Sequence, residues 1–132
     1  VASALVYCLQ LQARGDRAIS VCPEASKELK ALGIRIEEGI DITSDDSVAN
    51  LHKKLGDTEI DVLINNAAMF ALRTAEGIAK SITLELLDFD SIREQFEVNA
   101  LGSLRVTQVL LPRLKSGGKV VWDDELHGVN WR

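Results

Sequence analysis

The sequence has no apolar run near the roughly 20 residues that cross a bilayer. Its first fifteen residues, Val1 to Gly15, carry no basic segment of the kind that opens a secretory signal. Neither a membrane partner nor an export leader is therefore expected. Cysteine is scarce: Cys8 and Cys22 are the only two, far too few for a disulfide framework. Reduced, buried thiols in a cytoplasmic protein are the expectation. Positive charge is short as well, with 15 Lys+Arg against 20 Asp+Glu and a net charge of −5. A nucleic-acid surface needs clustered Lys and Arg, so no nucleic-acid partner is expected. Methionine occurs once, at Met69, while the chain opens on Val1. That combination suggests processing, or a piece of something longer.

What is present is ordinary for a globular chain: 46% hydrophobic and 27% charged residues. This excludes disordered, collagen-like and mucin-like classes. A length of 132 residues suits one domain and is too little for two. No internal repeat, low-complexity tract or dividing linker stands out.

Helical and strand patterns alternate along the chain, the signature of a parallel α/β sheet. Residues 1–13 read as a helix, with Val1, Ala4, Leu5 and Cys8 at helical spacing and Gly15 as its stop. A short strand follows over Ala18–Val21, then a helix over 24–32 closed by Gly33, then a strand from Ile34 towards Ile40. Thr43 with Asp46 resembles a capping box, and Val48, Leu51 and Leu55 mark the buried face of the helix that follows. Asp61 precedes the run Val62-Leu63-Ile64, which fits a strand buried on both faces. Ala71–Ser81 has helical spacing at Ala71, Ala75 and Ile78, interrupted by Gly77. A long helix is expected from Ser91, carrying Ile92, Phe96, Leu101, Leu104 and Val109, until Pro112 bends or ends it. Lys115–Gly118 then reads as a turn and Lys119–Trp122 as a last strand.

Three stretches in order carry a resemblance: Gly39-Ile40-Asp41-Ile42-Thr43-Ser44, Asp61-Val62-Leu63-Ile64-Asn65-Asn66-Ala67-Ala68, and Phe96-Glu97-Val98-Asn99-Ala100-Leu101-Gly102 running on to Leu110-Leu111-Pro112 and Gly118-Lys119-Val120-Val121. Together they resemble the short-chain dehydrogenase/reductase family, over roughly residues 1–121. Independently of any family, Asn-Asn-Ala after a buried strand puts small and amide residues at the carboxyl edge of a parallel sheet, where ligands of open α/β sheets bind. The plain alternative is that Asn65-Asn66 is only a strand-ending turn.

The resemblance implies an α/β fold with an incomplete Rossmann-like parallel sheet and flanking helices over 1–122, followed by an irregular tail over 123–132. It implies NAD or NADP as cofactor and hydride transfer on a small carbonyl or alcohol substrate. Asp41 and Ile42 would lie against the adenine end, and Asn65, Ala67 and Ala68 would line the cofactor cleft. Ala68 stands where the family usually has Gly; were positive φ needed there, alanine would cost on the order of 1 kcal/mol. Asn99 matches the catalytic-helix Asn whose backbone carbonyl holds a water in a proton relay. Glu24 would favour NAD, or else simply start a helix.

Other parts of the family pattern are not in these residues. The nine glycines contain no G-x-G-x-x-G and no G-x-x-x-G-x-G, so the backbone cradle for a pyrophosphate is missing. The single tyrosine, Tyr7, has Leu11 four residues on, so there is no Tyr-x-x-x-Lys to act as general acid/base. The family's first strand, central in its sheet, is missing too, leaving two strands without a neighbour. They would pair directly, or a second chain would cover the gap. Asp123 to Glu125 with His127 reads as a solvated tail, and no metal is expected. The expectation is an oxidoreductase by descent, inactive as this chain. The alternatives are a non-enzymatic remnant that forms homo- or hetero-oligomers through the 91–111 helix, and an unrelated nucleotide-binding module.

Overall fold

The computed structural model describes residues 2–69, 73–74, 77–78 and 83–123. In chain order the elements are α1 (Ala2–Ala13), β1 (Ile19–Cys22), α2 (Lys27–Ala31), β2 (Arg35–Glu38), α3 (Asp45–Leu55), β3 (Ile60–Asn65), β4 (Arg73–Thr74), β5 (Gly77–Ile78), α4 (Phe89–Phe96), α5 (Ser103–Leu110) and β6 (Leu114–Trp122). A π-helical turn, Glu97–Gly102, joins α4 to α5, and 3₁₀ turns occupy Leu84–Leu86 and Leu111–Arg113.

The expected parallel α/β pattern is present, but as separate two-stranded sheets. β1 pairs with β2 in parallel, and β3 pairs with β6 in parallel. Among the described residues β1 and β3 do not pair with each other, so direct pairing across the gap does not occur. A shared core links the two sheets instead. Ile40, Val48, Leu51, Leu55, Val106 and Leu110 form it, with Ile19 of β1 and Ile60 and Leu63 of β3 packed against them. Helices α3 and α5 thus cover both sheets. A smaller cluster of Cys8, Ala25 and Leu29, packed by Leu5, Cys22, Ile34 and Ile36, seats α1 and α2 on β1 and β2.

Several expectations are corrected. α3 is capped by Ser44, not Thr43: the Ser44 hydroxyl accepts from the Ser47 N–H, because Thr43 is already held by the Asp41 carboxylate. α2 is shorter than 24–32, since Ser26 caps it and it starts at Lys27. Glu24, two residues before that cap, does not start the helix. β3 is not buried on both faces: Val62 is 47% exposed, and among the described residues β6 alone pairs with the strand. In place of a helix over Ala71–Ser81 there are the strands β4 and β5, paired antiparallel through Arg73↔Ile78 and Thr74↔Gly77. Ala71, Ala75 and Ser81 lie outside the described residues, as do Asp124, Glu125 and His127.

The long helix starts earlier than Ser91, where Asp88 accepts from the Asp90 N–H, and it is interrupted by the π turn. Pro112 stops it as expected, inside the 3₁₀ turn. Lys115–Gly118 is not a separate turn; it lies within β6, where the register slips between Ile60↔Leu114 and Val62↔Lys119, with Gly117 at φ +78°.

Candidate functional site

The sequence-predicted residues gather around the carboxyl end of β3 and the π turn. Asn65, the last residue of β3, is buried. Its side-chain amide donates to the Thr107 hydroxyl of α5 at 3.0 Å, and Thr107 in turn donates to the Ser103 carbonyl at 2.8 Å. An Asn side chain can be buried here because a partner on α5 satisfies its donor. The Asn65 carbonyl accepts from the Asp123 N–H at 2.9 Å, which extends the β3–β6 ladder past Trp122. Ala67 and Ala68 follow as exposed residues. Among the described residues no non-glycine residue has positive φ, so alanine at position 68 carries no backbone penalty.

Asn99 lies within the π turn, where a widened helical repeat displaces carbonyls from their usual partners. Its side chain clasps the Met69 backbone from both sides. The Asn99 amide donates to the Met69 carbonyl at 2.9 Å, and the Met69 N–H donates to Asn99 Oδ1 at 2.7 Å. Asn99 therefore fixes the path of the chain leaving Ala68.

Asp41 and Ile42 approach the same turn from β2's side. The Asp41 carboxylate accepts from the Thr43 hydroxyl at 2.7 Å and the Thr43 N–H at 2.9 Å. Those two bonds hold the carboxyl below its ordinary range. Ile42 is half-buried and packs on the main core; a Cβ at Gly102 would lie 2.8 Å from its Cδ1. Its carbonyl accepts from Arg105 Nη1 at 2.8 Å. Arg105 also pairs with Asp45 at the start of α3 and with Glu97 at 2.8 Å, tying α5 and the π turn to the loop that carries Asp41.

Sequence reasoning missed Arg105 and Thr107, which no local motif marks. It also missed Tyr7. The Tyr7 hydroxyl donates to Asp123 Oδ2 at 2.7 Å, and the Asn66 amide reaches the same oxygen at 3.3 Å. Tyr7 joins α1 to the carboxyl edge of the β3–β6 pair.

Parallel strands, covering helices and a polar carboxyl edge ending in Asn-Asn-Ala define a protein of the Rossmann-like class. The short chain dehydrogenase family model matches residues 3–122, and the chain belongs to that family. It is 34% identical over 113 residues to the 1-hydroxy-2-glutathionyl-2-methyl-3-butene dehydrogenase of Rhodococcus sp. (strain AD45), covering 84% of this chain and 46% of that one. It is 30% identical over 82 residues to the NADPH-dependent 3-dehydrocapnine reductase of Ornithobacterium rhinotracheale, covering 62% and 26%. Among solved structures it resembles a carbonyl reductase from Pseudomonas aeruginosa PAO1 in complex with NADP, with 25% identity and a TM-score of 0.72, covering 90% of this chain and 51% of that one. The chain thus spans about half the length of the first of these relatives and of that solved structure.

A nicotinamide dinucleotide, the family's cofactor, fits the described residues only in part. The exposed methyl side chains of Ala67 and Ala68 leave the backbone open to a flat ring. A diphosphate finds no cradle. Among the described residues the glycines with positive φ are Gly15, Gly33, Gly39, Gly56 and Gly117, and none immediately precedes a helix to present free N–H groups to an anion. The described residues do not hold a whole dinucleotide. Among them, no helix is long and apolar enough to cross a membrane.

Proposed function

We propose that this chain descends from NAD(P)-linked oxidoreductases that move hydride between cofactor and a carbonyl or alcohol, and that its 132 residues alone do not turn substrate over. The gathering of Asp41, Ile42, Asn65, Ala67, Ala68 and Asn99 around one sheet edge and one π turn supports the descent. The sequence lacks a phosphate cradle and a Tyr-x-x-x-Lys, which supports the second half: a positioned general acid/base is worth about 10²–10⁴ in rate. The two unpaired thiols suit a cytoplasmic setting. The test is NADH and NADPH oxidation by the 132-residue chain with a panel of ketones and aldehydes. No rate above a heat-killed control is expected; clear cofactor oxidation would overturn the proposal.

A second reading, a non-enzymatic partner of a full-length relative, is favoured by one observation. Phe89, Phe96, Leu104 and Leu111 are each more than half exposed along the α4–α5 rod. An apolar stripe of this kind marks an association surface. Crosslinking with a full-length relative should give mixed species, and monomers alone would count against this reading.

A further inference from the structure

Three separate segments meet at one side chain, Arg105, in the first turn of α5. That side chain is only 20% exposed, and each guanidinium nitrogen has its own partner. Nε pairs with the Asp45 carboxylate at the start of α3, Nη1 donates to the Ile42 carbonyl at 2.8 Å, and Nη2 donates to Glu97 Oε1 of the π turn at 2.8 Å. The Ile42 peptide is thus held from two sides, its carbonyl by Arg105 and its side chain by the main core. Asp41, the residue before it, is fixed as well. Both bonds from Thr43 go to Asp41 Oδ1, and the Asp41 N–H donates to Ser47 Oγ at 2.9 Å. Asp41 is exposed, and among the described residues its Oδ2 has no hydrogen-bond partner. It follows the carboxyl end of β2, the end of a parallel strand at which open α/β sheets bind ligands. A fixed, unengaged acceptor at such a place selects for a ligand edge that donates. Adenine has an amino donor at position 6, where hypoxanthine has a carbonyl acceptor.

We propose that Arg105 is a positioning residue that sets base selectivity: by fixing the Ile42 carbonyl to α3 and the π turn, it holds the Asp41 carboxylate where it accepts from an amino-bearing purine. This rests on the descent proposed above, which assigns Asp41 and Ile42 to the adenine end. Arg105 itself touches no ligand; it acts through the Ile42 peptide. Lysine cannot replace it, because one ammonium nitrogen does not reach three partners on three segments as the guanidinium fork does. Glu97 stands two residues before Asn99, whose amide holds the Met69 carbonyl. The same guanidinium therefore joins the expected adenine end to the turn that steers the chain leaving Ala68.

The test is an NMR titration of the isotopically labelled 132-residue chain with adenosine and, separately, with inosine, read at the amides of Asp41, Ile42 and Thr43. Neither nucleoside carries phosphate, so the missing cradle does not enter. The unmutated chain should bind adenosine in preference to inosine. Arg105→Lys keeps a cation beside Asp45 and Glu97 and so retains the fold, yet it should weaken adenosine binding by about fivefold and bring the two nucleosides together. Arg105→Gln should do the same with a larger loss of melting midpoint. Arg35→Gln is the control. Arg35 also ties β2 to α3 and the loop beyond it, through the Lys54 carbonyl at 2.7 Å and the Thr58 hydroxyl at 3.2 Å, but from the opposite end of the strand. Its loss should lower the melting midpoint and leave adenosine binding unchanged. Adenosine affinity that simply follows stability across the three variants would overturn the positioning role, as would an unmutated affinity in Arg105→Lys. An unmutated chain that does not prefer adenosine would overturn the adenine-end assignment itself, and this role with it.

Discussion

Gly102 closes the π turn and is buried against Ile42, and replacing it with alanine sets two effects of opposite sign against each other. The backbone at Gly102 is helical, with φ −60° and ψ −47°, so alanine fits its dihedral angles and gains about 1 kcal/mol of helix propensity over glycine. Against this, the new Cβ would lie 2.8 Å from Ile42 Cδ1, 2.9 Å from Ile42 Cγ1 and 3.3 Å from the Glu97 carbonyl oxygen. The Ile42 side chain has little room to retreat. It packs on the main core, and Arg105 holds the Ile42 carbonyl. The Glu97 carbonyl belongs to the turn itself. Overpacking at such a site costs about 1–3 kcal/mol. The clash should win, leaving Gly102→Ala destabilised by about 1–2 kcal/mol. Urea unfolding should show this as a midpoint lower by about 0.5–1 M at unchanged slope. The decisive control is Ile42→Ala, which empties the space that the new methyl needs. On that background Gly102→Ala should cost little, giving a coupling of about 1 kcal/mol between the two sites. A midpoint that rises in Gly102→Ala would refute the reasoning, as would an identical loss in both backgrounds.

Two further outcomes follow from the hydrogen bonds. Tyr7→Phe removes the 2.7 Å bond to Asp123 and leaves the ring, so it should cost about 1 kcal/mol and lower the melting midpoint by a few degrees. An unchanged midpoint would show that α1 is not held by this contact. The carboxyls of Glu38 and Asp41 both lie below their ordinary range. The Ala25 N–H and Lys30 do this for Glu38, and the Thr43 hydroxyl and N–H do it for Asp41. A depressed folded-state pKa contributes stability that is fully present above the unfolded value near pH 4. That stability is lost as pH falls through the folded value. Unfolding measured between pH 6 and pH 2.5 should therefore show stability falling on acidification, with a shallower fall in Glu38→Gln. A slope unaltered by that substitution would remove Glu38 from the account.

What was legible in the sequence is what short-range pattern encodes. Val48, Leu51 and Leu55 recur at helical spacing and stop at Gly56, and they are the buried face of α3. The run around Val62 shows how far such pattern reaches. It marks a strand correctly, but burial on a second face depends on neighbours that the run does not specify, and Val62 is exposed. The cap of α3 turned on a competition between adjacent hydroxyls: Asp41 captures Thr43, which leaves Ser44 to meet the free N–H. The π turn was hidden because one widened repeat scarcely disturbs apolar periodicity over twenty residues. Asn99 was found by motif, yet its two bonds to Met69 join positions 30 residues apart. Tyr7 and Asp123, 116 residues apart, could be joined only by the folded topology.

The same topology separates what holds the fold from what would perform chemistry. A two-stranded ribbon is marginal alone, and here each parallel pair has no third strand among the described residues. The main core lends support to both, because Ile19 from one pair and Ile60 and Leu63 from the other pack on α3 and α5. Asn65, Ile42 and Gly102 border that core, which is why the predicted site residues converge on one edge. Asn65 uses its amide on Thr107, Asp41 its carboxylate on Thr43, and Asn99 its side chain on Met69. The Asn65 and Asn99 side chains thus hold separate segments together, while the Asp41 carboxylate shapes its own turn. A cleft built in this way needs its catalytic donors and phosphate contacts from other residues.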